Sequence, residues 1–283
     1  MTKRKIGIVD HSLDNFHANT FLSLMREDLK PRGWEIARCW AVNGDEGRVW
    51  AKKNEVSYAE EFTDLGECDA FMILAPSNPE VHPEMAKRLF PFGKVTYVDK
   101  TFAPNYETAK EIFTLADKYN VPVMTTSALR CATSLKRVVE KFGSGRILHM
   151  QAWGGGGSFE EYAIHPLEMV IFAMGAQVEE VMHVASDKDH HALHLQFGDK
   201  RSASIFIHTN NECPFRAMVT TEEQTVCADC SADPIFRDLC NVILDFFESG
   251  EPSVDRSESL MIRRVLDVVN GSSCDRRFTN VKM

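Results

Sequence analysis

The hydrophobic period of the chain changes near residue 126, and that change constrains the fold more than any other feature. Before it, short β-branched runs at Lys5–Val9, Glu35–Val42, Asp69–Ala75, Lys94–Val98 and Val121–Thr125 read as strands. Segments of helical period lie between them. The clearest is 107–119, where Ala109, Ile112, Phe113 and Ala116 recur at i, i+3, i+4 and i+7 and make one buried stripe. Strands alternating with helices build a parallel sheet covered on both faces, because every parallel connection is a crossover. Such a sheet binds ligands outside the carboxyl ends of its strands, which gathers 10–16, 43–47, 76–79 and 99–101 around one crevice.

After Arg130 a helix over 132–142 leads into strand-like segments at Ile147–Trp153, Glu179–Ser186, Ala192–Phe197, Ser202–His208, Arg216–Thr220 and Gln224–Ala228. This half reads as a mostly antiparallel open sheet with helices, an α+β domain. Two amphipathic helices end it. One has Ile235, Leu239, Val242, Ile243 and Phe246 on a stripe, the other runs around Leu260–Val269, and the Gly250-Glu-Pro break separates them. The expected division is therefore an α/β domain at 1–126 and an α+β domain at 127–283, with the second closing over the crevice of the first.

Composition narrows the partners. With 283 residues, 44% of them hydrophobic, the chain can bury the cores of two domains. A net charge of −9 without a clustered basic face excludes the footprint of a nucleic-acid binder. No apolar run approaches the roughly 20 residues of a membrane helix, and the basic start leads straight into a strand, so a cytoplasmic location and no membrane partner are expected. Eight cysteines without a secretory signal predict reduced thiols. Cys227-Ala-Asp-Cys230 has zinc-knuckle spacing but no second pair, and His190, His191 and His194 fall in a turn and an alternating strand, so no metal is expected.

Several motifs follow in a telling order. They are Ile6-Gly-Ile-Val9 as a first strand, Leu74-Ala-Pro76-Ser77 after a later strand, and Val98-Asp-Lys100-Thr101 after the next. Val123 to Arg130 then leads out of the first domain, and Glu161-Tyr-Ala-Ile-His165-Pro-Leu-Glu168 opens a helix. On these the chain resembles the glucose-fructose oxidoreductase / inositol dehydrogenase / MocA family of nicotinamide-dependent enzymes over most of its length. The resemblance implies a Rossmann doubly wound domain that binds NAD or NADP, and a substrate and oligomerisation domain whose open sheet forms a homodimer or homotetramer. It also implies hydride exchange with a hydroxyl or carbonyl carbon of a sugar, polyol or related small molecule. It carries catalytic roles to Lys100, His165 and Glu161, cofactor contacts to Asp10, Ser12, Asn15, Asn43, Pro76, Ser77 and Lys100, and a substrate role to Arg130.

The residue types suit that chemistry on their own terms. Hydride leaves a carbinol carbon only as the hydroxyl proton departs, which requires a base titrating near neutral pH such as His165. The Lys100 ammonium would stabilise the developing oxyanion, and Glu161, four residues before His165, would hold the imidazole or share the relay. Trp153 and Tyr162 flank the proposed site and offer rings to stack on a sugar. Taken singly, a histidine before Pro166 simply starts a helix and a lysine after a strand is a solvated charge.

The pattern departs from the family at its first turn. A dinucleotide fold opens with Gly-x-Gly-x-x-Gly, and here those positions hold Asp10, Ser12 and Asn15. Asp10 would set a carboxylate beside a pyrophosphate, while Ser12 and Asn15 remain able to donate hydrogen bonds. At the ribose position stands Asn43, with Asp45, Glu46 and Arg48 nearby, which leaves NAD against NADP open. Thr101, Asp99 and Glu161 replace the family's proline, glutamate and aspartate. His82 lies too far beyond Pro76 to take the family's loop-histidine role. A second expectation therefore stands beside the enzyme: a non-catalytic ligand-binding or regulatory protein on the same fold that has lost dinucleotide binding.

Overall fold

A computed structural model describes residues 3–271 and 274–281. The chain forms two compact units. One is the chain up to Thr126 together with Leu239–Val254, the other Ser127–Asp238 together with the chain from Asp255.

In the first unit β1 (Arg4–Asp10), α1 (Phe16–Arg26), β2 (Trp34–Ala41), α2 (Gly44–Lys53), β3 (Ser57–Tyr58), β4 (Ala70–Ile73), α3 (His82–Leu89), β5 (Val95–Val98), α4 (Tyr106–Lys118) and β6 (Val123–Thr125) follow one another. The six strands are parallel and ordered β3-β2-β1-β4-β5-β6, the doubly wound Rossmann order. Their apolar runs are continuous because both faces are covered: Ile6, Ile8, Phe71, Met72, Ile73, Tyr97 and Val98 are fully buried. The α4 stripe Ala109, Ile112, Phe113 and Ala116 is buried as its period requires, and the Asn105 side chain caps the helix by accepting from Thr108 N at 2.9 Å. The strand order reverses between β1 and β4, so the switch point lies at their carboxyl ends. Two-residue β3 is too short to carry a readable periodicity.

The second unit contains α5 (Thr133–Phe142), β7 (His149–Gly156), the short α6 (Phe159–Tyr162), α7 (Ile164–Met174), β8 (Val178–Ala185), β9 (His190–Phe197), β10 (Ser202–Thr209), β11 (Arg216–Thr220) and β12 (Thr225–Asp229). Next comes α8 (Ile235–Ser249), of which only the start belongs here, then α9 (Arg256–Asn270) and β13 (Thr279–Asn280). Its seven strands are ordered β12-β11-β7-β10-β9-β8-β13 and pair antiparallel except β7 with β10. Alternation decides the faces. Met150, Ala152, Leu193, Leu195, Ile205 and Ile207 join Leu167, Val170 and Ile171 of α7 and Val265 and Leu266 of α9 in one core. Trp153, Phe206 and Met218 fall on the opposite face and are half-buried.

One boundary differs from expectation. The break after 126 coincides with the end of β6, but 127–283 is not continuous, because 239–254 packs into the first unit. Leu239, Ile243, Leu244 and Phe246 of α8 are buried there. Phe247 packs on Trp34 with ring centroids 5.5 Å apart, and Arg32 reaches Asp245 at 2.8 Å and Glu248 at 3.0 Å. An amphipathic stripe demands burial without naming the sheet that supplies it. Among the described residues no helix is long and apolar enough to cross a membrane.

Candidate functional site

Asp10 ends β1 at the switch point, almost wholly buried. Its carboxylate accepts from Ser12 N at 3.3 Å and from Asn15 Nδ2 at 2.9 Å. Burial dominates those contacts and pushes its pKa up to about 6. Asn15 is spent locally: Nδ2 also donates to Ser12 O at 2.6 Å, and Oδ1 caps α1 by accepting from Ala18 N at 3.0 Å. The expectation that the Asn15 amide would donate to a ligand is thus corrected, since the turn consumes both its ends.

Glu46 reaches this turn from the first turn of α2. Its Oε2 accepts from Leu13 N at 3.1 Å and its Oε1 from Asp14 N at 2.7 Å. Sequence reasoning placed Glu46 only near a ribose. Its contact depends on α2 lying beside the turn, and nothing local in the sequence announces that. Asn43 heads α2 exposed, with no side-chain cap bond.

The turns after β4 and β5 are tied together. His82, fully buried, has Nδ1 3.0 Å from Phe102 O and Nε2 2.6 Å from Leu74 O, and burial lowers its pKa. Lys100 follows β5, buried, with Nζ donating to Pro76 O at 3.4 Å and its backbone N to Asp99 Oδ1 at 2.8 Å. The Lys100–Thr101 peptide is cis. The Asp99 carboxyl also accepts from Tyr97 OH at 3.2 Å and lies 2.5 Å from His17 Nδ1 on α1. Burial by itself would raise its pKa, but the neighbouring His17 and Lys100 outweigh that and hold it below the ordinary carboxylate range. Lys100 and Pro76 are therefore brought together, Ser77 is exposed, and the His17–Asp99 contact has no signal in the sequence.

In the second unit the His165 imidazole, in the first turn of α7, has Nδ1 2.7 Å from Ser127 Oγ. Ser127 N in turn donates to buried Glu168 Oε2 at 2.8 Å. Ser127 thus contacts the imidazole and Glu168 holds the Ser127 backbone, whereas the role expected of Glu161 is not seen: among the described residues its carboxylate makes no hydrogen bond or ion pair, and its backbone N donates to Ser158 Oγ at 3.3 Å. The reason is geometric, since Glu161 belongs to α6 and His165 to a separate helix.

Tyr162 does lie against His165, ring centroids 5.6 Å apart. Gly156 permits this, because a Cβ there would stand 2.1 Å from the Tyr162 ring. Trp153 is corrected. Pro166 sits over the Gly154 face of β7, so alternation puts Trp153 on the other face, stacked on Phe206 at 5.7 Å. Arg130 is buried in an ion pair with Glu258 of α9 and lies 4.9 Å over the Phe172 ring. The histidines of β8 and β9 pair with neighbours, His190 with Asp187 at 2.8 Å, His191 with His183 at 3.0 Å and His194 with Ser204 at 3.1 Å.

No protein-family model matches the chain, and no curated protein does. Solved structures match it along nearly its whole length. A scyllo-inositol dehydrogenase from Lactobacillus casei with bound NAD(H) and scyllo-inositol superimposes with a TM-score of 0.84 at 12% identity, covering 99% of both chains. An oxidoreductase from Agrobacterium radiobacter in complex with NAD+, L-tartaric acid and magnesium gives 0.79 at 16% identity over 99% of both. A myo-inositol 2-dehydrogenase from Lactobacillus plantarum gives 0.82 at 13% identity, over 99% of this chain and 100% of that one. The chain shares the two-part architecture of these dehydrogenases.

A dinucleotide on such a fold sets its pyrophosphate on the amides at the head of the first helix. The turn after β1 as it stands does not fit that group. Two of its amides already carry the Glu46 carboxylate, and the buried Asp10 carboxyl is bonded into the same turn. The turns after β4 and β5 show no comparable obstruction, with Pro76 and Lys100 joined and Ser77 exposed.

Proposed function

We propose that this chain is an oxidoreductase acting on a hydroxyl or carbonyl carbon of a sugar, polyol or related small molecule, with NAD or NADP as its expected redox partner. The observation that carries this reading is the anchored imidazole. Ser127 Oγ engages the His165 imidazole at the head of α7 and Glu168 holds the Ser127 backbone, the kind of pre-organisation a general base requires. In this reading His165 receives the hydroxyl proton, the Lys100 ammonium stabilises negative charge on the substrate oxygen, and Tyr162 packs against the sugar-like ring. The inositol and tartrate named with the similar dehydrogenases support a polyhydroxylated substrate.

A 1–126 dinucleotide domain completed by 239–254, a substrate domain formed by the rest, a cytoplasmic location and a homodimer or homotetramer belong to the same reading. The half-buried Trp153, Phe206 and Met218 on one sheet face support the assembly.

The filled first turn favours a second reading, a non-catalytic ligand-binding or regulatory protein on this fold. Titration of the protein with NADH and NADPH, followed by nicotinamide and tryptophan fluorescence, separates the two. Saturable binding is expected. Absence of binding to either nucleotide, both in the wild type and in a chain whose Glu46 has been replaced, rejects the oxidoreductase in favour of the second reading.

A further inference from the structure

We infer that Glu46 is an internal occupant of the first turn, a carboxylate pin on α2 that keeps the turn closed to a dinucleotide until it is displaced. The inference rests on the reading of this turn as the nucleotide turn, and it deepens that reading by naming what regulates access.

The backbone N–H groups of Leu13 and Asp14 are consecutive and immediately precede the Asn15 cap of α1, the end of a helix near which an anionic group is stabilised. Glu46 satisfies both, one oxygen on each. A pyrophosphate cannot take the same two donors at the same time. The same turn carries Asp10 and Asp14, so like charge adds to the competition.

The pin is removable where the rest of the turn is not. Asp10 is buried beneath the backbone and Asn15 is committed at both ends. Glu46, by contrast, is half-exposed in the first turn of α2, so a rotamer change carries its carboxylate into solvent without moving the helix. The two anions exchange as alternatives on one pair of amides, and the affinity for nucleotide is reduced by the fraction of chains in which Glu46 is in place.

The test uses the full chain with Glu46→Ala and, to preserve side-chain length should that variant misfold, Glu46→Gln. Amide hydrogen exchange reads the turn directly. The Leu13 and Asp14 amides are expected to exchange about tenfold faster or more in the variant than in the wild type. Inorganic pyrophosphate is expected to restore their protection in the variant while leaving the wild type unchanged. NADH or NADPH is expected to bind the variant about tenfold more tightly or better.

Unchanged exchange in both variants, or no protection by pyrophosphate, overturns the inference. Equal nucleotide affinity of wild type and variant also overturns it, while leaving the oxidoreductase reading intact. Protection by pyrophosphate together with no binding of either nucleotide upholds the pin and defeats the nicotinamide reading instead.

Discussion

A carboxyl whose pKa has risen from 3.8 to about 6 binds its proton more tightly in the folded chain than in the unfolded one, and Asp10 is such a group. Its contribution is most favourable at low pH, where both states are protonated, and is lost as pH climbs from about 4 to about 6. The resulting penalty at neutral pH is on the order of 3 kcal/mol. Asp10→Asn keeps one acceptor for Asn15 and removes the charge, so its melting temperature relative to wild type is expected to be higher at pH 7.5 than at pH 4. An equal difference at both pH values would contradict the buried acid.

The catalytic assignment is tested at the same scale. Lys100→Met and His165→Ala are each expected to lower turnover by about two powers of ten with little change in melting temperature. Ser127 acts through His165, so Ser127→Ala is expected to lower kcat by roughly tenfold with KM nearly unchanged and to displace the acid limb of the pH–rate profile. A structural loss alone would lower the melting temperature and leave the profile in place. The motif points to His165, and the structure sets Ser127 rather than Glu161 against its Nδ1. Separation along a chain, four residues for Glu161 against 38 for Ser127, says little about who meets whom across two elements.

At the level of elements, Arg130 is a motif position whose side chain is engaged by its neighbours. The 3-10 turn at Ala128–Cys131 presents it to Glu258 of α9, with side chains only 10% and 22% exposed. Removing one partner leaves the other charge poorly solvated, which costs about 3 kcal/mol for a buried pair. Arg130→Ala is therefore expected to lower the melting temperature clearly, whereas a substrate-binding arginine would raise KM and leave stability alone. The strands were legible because covered parallel strands are continuously apolar and the second sheet alternates, two patterns with different periods. The short α6 was not, since four residues contain hardly one helical turn.

The whole molecule departs from a simple sum of halves, since one helix begins in one unit and finishes in the other. The first unit owes the buried face of Leu239, Ile243, Leu244 and Phe246 to a segment more than 100 residues beyond β6. A fragment of residues 1–126 is expected to remain unfolded or to aggregate, and the same fragment joined by a flexible linker to 239–254 to unfold cooperatively in a thermal melt monitored by circular dichroism. Cooperative unfolding of 1–126 by itself would refute that dependence. The sequence by itself determined the two kinds of sheet, the strand and helix positions, and the lysine and histidine with chemistry to offer, because periodicity and residue type are local properties. Tertiary structure alone decided that α8 completes the first unit, that Ser127 orients His165, that Trp153 turns away, and that Glu46 fills the first turn. Each of those is a meeting of residues distant in the chain, selected by packing and by the need to satisfy buried donors.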